Sequence, residues 1–192
     1  KQGRKNGRVL ADAIRATRAR GEEPAVVVPQ PTCGYVLKYD YKDYLGGDDA
    51  QLVADHTYDA AEYLMKVHKA EGTSLDTEFP GTVPETVTYH APCHLRAQNI
   101  GLKSRDLMKL TGTKITVVAE CSGIDGTWGY RAANYDISRQ VATKMANAIS
   151  KANGEVVAGD CHFANGGIVQ ETGRQPVHPV SLVARAYGIP ED

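Results

Sequence analysis

The sequence predicts an α/β fold: mainly parallel sheet(s) with flanking helices, arranged as two pseudo-repeated half-domains with cysteines at strand C-terminal ends. Three observations predict it. Short apolar runs alternate with stretches of helical periodicity. A weak internal repeat relates LADAIRATRARGEEPAVVVPQPTCGYVL to KMANAISKANGEVVAGDCHFANGGI, each reading as helix, turn, apolar strand, cysteine, helix. Each of the four cysteines, Cys33, Cys93, Cys121 and Cys161, also stands just beyond the end of a predicted strand, the edge at which open α/β sheets bind ligands.

Taken in order, residues 7–20 form an amphipathic helix and 24–31 an apolar strand ended by prolines, with Cys33 next. Helical periodicity resumes over 35–45. The longest predicted helix covers 50–70, with Asp48 and Asp49 as capping candidates. The polar stretch EGTSLDTEFPGTVPE, 71–85, reads as a linker. Beyond it come a strand over 86–92 leading to Cys93, a helix over 103–112 and a strand over 114–120 leading to Cys121. A helix over 137–154, a strand over 155–160 leading to Cys161 and a last helix in HPVSLVARAYG complete the pattern.

Composition narrows the function classes. The 192 residues are 42% hydrophobic and carry a net charge of −1, which gives no electrostatic case for nucleic acid or an anionic membrane. The basic residues of the first turns (Lys1, Arg4, Lys5, Arg8, Arg15, Arg18, Arg20) read as a solvated helix face. There is no run of apolar residues long enough to span a bilayer and no signal-peptide core, so the expected location is cytoplasmic. The chain opens on Lys1 within a helical pattern, as a fragment of something longer would. Four widely spaced cysteines in a chain of this size suit metal ligation, catalysis or packing better than disulfide staples.

The cysteine neighbourhoods differ. In YHAPCHLRAQ, His90, Cys93 and His94 crowd one strand end, a mixture of imidazole and thiolate that suits zinc or iron. Taken singly, each histidine is as well explained by a hydrogen bond to a strand-end carbonyl. In AECSGIDGTWGY, Gly123, Gly126 and Gly129 let the backbone approach a bulky group beside Cys121, with Trp128 as a packing lid. GDCHFANGG supplies Cys161 and His162, with Asp160 expected to cap the next helix, and QPTCGYV supplies Cys33 and Gly34. The chain lacks Walker A, Cys-x-x-Cys and zinc-deaminase patterns.

The run from PTCGYVLKYDY through YHAPCHL, AECSGIDGTWGYRAANYD and GDCHFANGGI to HPVSLVARAYG resembles the cysteine-rich CCG-domain family. That family includes the cysteine-rich subunit of heterodisulfide reductase and the glycolate oxidase iron–sulfur subunit. The flavour here is that of the cysteine-rich subunit of anaerobic glycerol-3-phosphate dehydrogenase. The resemblance covers nearly the whole chain. It implies that 1–72 is the end of a first cysteine-rich repeat, 73–85 a linker and 86–192 a second repeat. It also implies metal ligation by Cys93, Cys121 and Cys161, with Cys33 as the last cysteine of the preceding repeat.

Two departures bear on the ligand set. Glu120 stands where the first cysteine of the Cys-Cys pair would be, and Ala164 where the last would be. A five-thiolate noncubane cluster is therefore not expected. Three cysteines can hold a 4Fe–4S cube with a non-cysteine corner, or zinc with a further ligand. Cys33 is the first candidate for that fourth position, with His94, His162 and Glu120 as additional ones. Gly123, Gly126 and Gly34 are the expected cluster-loop glycines.

What the resemblance implies for function is iron–sulfur electron transfer between a flavin dehydrogenase subunit, or another redox protein, and a further carrier. The chain would be a non-catalytic component, reaching the inner face of a membrane only through its complex. A zinc-stabilised interaction module is the alternative. A thiol enzyme ranks below both, because adjacent Cys and His side chains on an extended segment point to opposite faces.

Overall fold

The computed structural model describes residues 1–190. Two small parallel sheets, each covered by helices, make an α/β fold. The first half opens with helix α1 (Gln2–Ala19), strand β1 (Val26–Val28) and helix α2 (Pro31–Tyr35), which runs into a π-helical segment, Val36–Leu45. Helix α3 (Gly47–Asp55), strand β2 (Thr57–Asp59) and helix α4 (Ala60–Lys69) follow. β1 and β2 pair in parallel, Val26 opposite Thr57. Ala11 and Ile14 of α1 pack on Val53 of α3 beneath them.

The second half is built on β3 (Thr86–His90), β4 (Lys114–Val118) and β5 (Val156–Gly159), in the order β4-β3-β5, all parallel. Helices α5 (Cys93–Ala97) and α6 (Lys103–Lys109) lie between β3 and β4, and α7 (Tyr135–Ala152) lies between β4 and β5. Helices α8 (His162–Thr172) and α9 (Pro179–Ala186) follow β5. Strand alternation sorts the core into two layers. Val87, Tyr89 and Ala158 face Met65, Leu107, Met108 and Leu182 of α4, α6 and α9. Val118 and Val157 face Ala142, Met145, Ile149 and Ile168 of α7 and α8. Thr88 and His90 alternate with Val87 and Tyr89, and both are almost fully buried.

The sequence expectations need three corrections. The helix expected over 50–70 is two helices separated by β2. Periodic apolar residues run through the break, and only the capping chemistry of Asp59 reveals it. Its carboxylate accepts from the backbone N–H of Ala61 (3.0 Å), while Glu62 accepts from the N–H of Asp59 (3.0 Å), a reciprocal capping box that starts α4. Asp48 and Asp49 do not cap α3; Asp49 instead pairs with Arg15 at 2.6 Å, across to α1. Asp160 does not cap α8 either. It is buried, and both of its oxygens are taken by hydroxyl donors, Tyr89 of β3 (2.5 Å) and Ser104 of α6 (2.5 Å), rather than by the first N–H groups of α8.

The stretch 71–85 has no regular secondary structure and is nonetheless held down. Leu75 donates to the His68 ring (3.2 Å), Tyr187 donates to the carbonyl of Asp76, and Phe79 packs on Tyr187 at 4.8 Å. Gly81 donates to the carbonyl of Ala186 (2.8 Å). A Cβ at Gly81 would lie 2.0 Å from the carbonyl oxygen of Arg185, so this close approach needs glycine.

Two predictions follow from this packing. Gly81→Ala must displace the stretch from α9, and a loss on the order of 2–3 kcal/mol is expected in urea unfolding; a loss within error would mean that α9 shifts freely. The second concerns Asp59, whose carboxyl burial pushes up to about 7, assisted by nearby Asp160 and opposed by the N–H groups of Ala61 and Glu62. Burial also raises Asp160 against its two hydroxyl donors. The folded chain thus keeps protons that the unfolded chain releases, and stability falls as pH rises from the unfolded value of 3.8 towards about 7. Asp59→Asn keeps the capping oxygen, so it should flatten that slope and gain up to a few kcal/mol at its alkaline end. An unaltered slope would assign the pH dependence elsewhere.

Candidate metal centre

Parallel pairing brings the C-terminal ends of β3, β4 and β5 to one edge. Cys93 follows β3 by three residues, Cys121 follows β4 by three and Cys161 follows β5 by two. All three line one cavity of about 290 Å³. Its walls are largely apolar, with Ile124, Val141, Phe163 and Ala164 contributing and Trp128 at 37% exposure. Such walls exclude water and lower the local dielectric around anything bound there.

Each thiol has a different neighbour. Cys121 accepts a hydrogen bond from the backbone N–H of Gly123 at 3.4 Å, and burial pushes its thiol up against that donor. Cys93 neighbours it and accepts from the Arg96 guanidinium at 3.5 Å, one helical turn away. Cys161, 7% exposed, lies 3.7 Å from the Thr32 hydroxyl, which in turn bonds Nδ1 of His94 at 3.1 Å. Gly123 has φ +74°, and a Cβ there would lie 2.2 Å from the carbonyl oxygen of Ser138, so the loop can fold under Cys121 only with glycine.

Other predicted site residues divide between the cavity and its surroundings. His94 and Gly126 line it with Gly123. Cys33 is exposed and outside the lining, although its neighbour Thr32 is within it. His162 stacks edge-on with Phe163, and its backbone N–H donates to Gln30. The Glu120 side chain is not in the lining; its carbonyl accepts from Nε2 of His90 at 2.9 Å. Gly34 is buried against the side chain of Gln98. The four cysteines are free thiols.

Two features go beyond the sequence expectations: the full burial of His90, there grouped with Cys93 and His94 at one strand end, and the contact of Arg96 with Cys93. His90 is 2% exposed, lines the cavity and has no hydrogen-bond partner for Nδ1. Burial, with help from Arg96, holds its imidazole below the usual histidine range, against the Glu120 carbonyl. The strand alternation of TVTYH carried the signal, since it puts His90 on the same face as buried Thr88. Arg96 is the second, and its spacing of three from Cys93 on a helix was legible.

Among the described residues, no three His, Cys, Asp or Glu side chains converge closely enough to hold a single ion. Zinc would need its thiolates about 2.3 Å from one centre. A polynuclear cluster presents a separate metal to each ligand, so its ligands stand apart around a cavity. Three thiols spread over one apolar wall, N–H donors to two sulfur atoms and an unpartnered buried imidazole nitrogen fit such a group.

Residues 87–164, from β3 to the first turn of α8, match the sequence profile of the CCG cysteine-rich domain. One subunit of the anaerobic glycerol-3-phosphate dehydrogenase of Escherichia coli strain K12 is 29% identical over 163 residues, covering 84% of this chain and 40% of that subunit. An iron-sulfur protein of Methanococcus maripaludis is 29% identical over 136 residues, covering 68% of this chain and 24% of the relative. One subunit of the fumarate reductase (CoM/CoB) of Methanothermobacter marburgensis is 29% identical over the same length and the same shares. The chain thus spans 40% or less of these relatives. With the cysteine-bearing ends of β3, β4 and β5 inside the matched segment, residues 87–164 form a cysteine-rich CCG domain, and the similarity to the relatives runs on across most of the chain.

Proposed function

We propose that this chain holds an iron–sulfur cluster at the C-terminal edge of the β4-β3-β5 sheet and serves as an electron-transfer component of a dehydrogenase-type redox complex. The observation that carries the reading is the meeting of Cys93, Cys121 and Cys161, from three separate strand ends, on one apolar cavity. The likeness to named iron-sulfur and dehydrogenase subunits supports it. Cys93, Cys121 and Cys161 are the thiolate ligands in this reading, and a 4Fe–4S cube with one non-cysteine corner suits their number.

The cluster, when bound, supplies reversible one-electron chemistry. The chain's own residues set its environment. The Gly123 N–H and the Arg96 guanidinium donate to thiolate sulfur, and both favour the reduced, more negative state. Apolar walls from Ile124, Val141 and Phe163 oppose that gain by withholding solvent. The donor is a flavin dehydrogenase subunit or a similar redox protein, and attachment to a membrane would come through such a partner. Among the described residues, no helix is long and apolar enough to cross a membrane.

Anaerobic purification followed by absorption spectroscopy and analysis for iron, sulfide and zinc tests this. Visible absorption that bleaches with dithionite is expected, with iron and sulfide in cluster stoichiometry. Cys121→Ser and Cys161→Ser should each abolish or strongly alter that absorption, and Cys33→Ser should leave most of it. Zinc in place of iron, with no colour, would overturn the reading.

A further inference from the structure

We infer that His90 is the fourth ligand of the centre, binding through Nδ1 beside the thiolates of Cys93, Cys121 and Cys161; this rests on the cluster reading above. Among the described residues, three buried side-chain atoms lack a hydrogen-bond partner: Nδ1 of His90, Oε1 of Gln98 and Oδ1 of Asn165. Of the three residues, His90 alone lines the cavity. A polar atom buried without a partner keeps its full desolvation cost, a penalty that a bound metal would remove.

The tautomer follows from the partner. A carbonyl can only accept, so the 2.9 Å contact with Glu120 puts the proton on Nε2 and leaves Nδ1 of the neutral ring with its lone pair. Metal-bound histidines ordinarily donate their other ring N–H to a carbonyl or carboxylate, which fixes the ring and strengthens the donor nitrogen. Here that outer contact is already made. Its acceptor belongs to the residue just before Cys121, so the same turn that presents one thiol also orients the imidazole.

Rival ligands are less well disposed. His94 lines the cavity but is only half-buried, and neither of its ring nitrogens is a buried atom without a partner, Nδ1 being bonded to the Thr32 hydroxyl; Cys33 lies outside the lining, and His162 and Glu120 do not line the cavity with their side chains. Ala164 lines it as a methyl group, one helical turn after Cys161, so it leaves a corner without a thiol. His90 and Cys93 lie three residues apart with Pro92 between, and the chain turns there from strand to helix. That turn allows both to face one cavity, as two neighbours along a strand would not.

The test uses the full chain loaded with iron and sulfide anaerobically, and pulsed electron paramagnetic resonance of the reduced cluster after histidine-selective ¹⁵N labelling. Wild type should show one directly bound nitrogen with strong hyperfine coupling. His90→Ala should lose it, whereas His94→Ala and His162→Ala should keep it. His90→Cys guards against a variant that fails to load, because it supplies a thiolate and should yield a cluster without the nitrogen signal at a lower reduction potential. A loaded wild-type cluster without bound nitrogen, or an unchanged signal in either His90 variant, would overturn this assignment and leave the cluster reading standing. A wild-type chain that takes up no iron and sulfide would remove both, and the metal analysis alone reveals that case.

Discussion

Everything at the candidate centre depends on the parallel pairing of β3 with both of its neighbours. Parallel strands run the same way, so three chain exits fall on one edge however far apart they lie in sequence. Cys93, Cys121 and Cys161 span nearly seventy residues of chain and become neighbours through that single constraint. An antiparallel β4 or β5 would send its cysteine to the opposite edge. The helices that cover the two faces supply the long crossover connections that such pairing requires.

The same edge is also where the molecule accepts unfavourable burial. Asp160 is buried next to Cys161, and it is tolerated because Tyr89 and Ser104 donate to both of its oxygens. That arrangement ties β3, β5 and α6 together directly behind the cysteine turn, and Asp59 brings the end of β2 close enough for its charge to be felt. The first half contributes to the cavity mainly through the β1–α2 corner. Thr32 reaches Cys161, Gln30 accepts from the N–H of His162, and the carbonyl of Pro29 bonds the ring of His178. The two halves therefore meet over the thiols of the second sheet, and Cys33 stands beside that meeting place, facing solvent.

Much of this was legible in the chain. Short apolar runs ending in cysteine revealed the parallel sheets, because strands buried on both faces need no polar alternation and a ligand edge needs a turn. The glycines after Cys121 marked a loop of special backbone: Gly123 and Gly126 both take positive φ, and Gly123 packs against the carbonyl of Ser138, while Gly126 faces open space. β2 was hidden because buried apolar residues, Val53 and Ala54 before it and Ala60, Ala61 and Met65 after it, continue across the break, so a hydrophobic repeat saw one helix where a capping box makes two. The role of Asp160 was hidden for another reason: it depends on Ser104, distant in sequence, and no local pattern records such a pairing. For His90 a strand-end carbonyl was an expected partner, and the fold supplies it from Glu120 across the sheet edge.

The stretch between the two halves has a consequence of its own. It has no regular structure, yet Gly81 donates its N–H to the carbonyl of Ala186 and Phe79 packs at a tilt on Tyr187. The Gly81 amide hydrogen is therefore held by α9, and its exchange with solvent is coupled to the lifting of that helix. A helix near one end of the described chain thus governs how long the middle of the chain stays closed, and the two segments open as one cooperative unit.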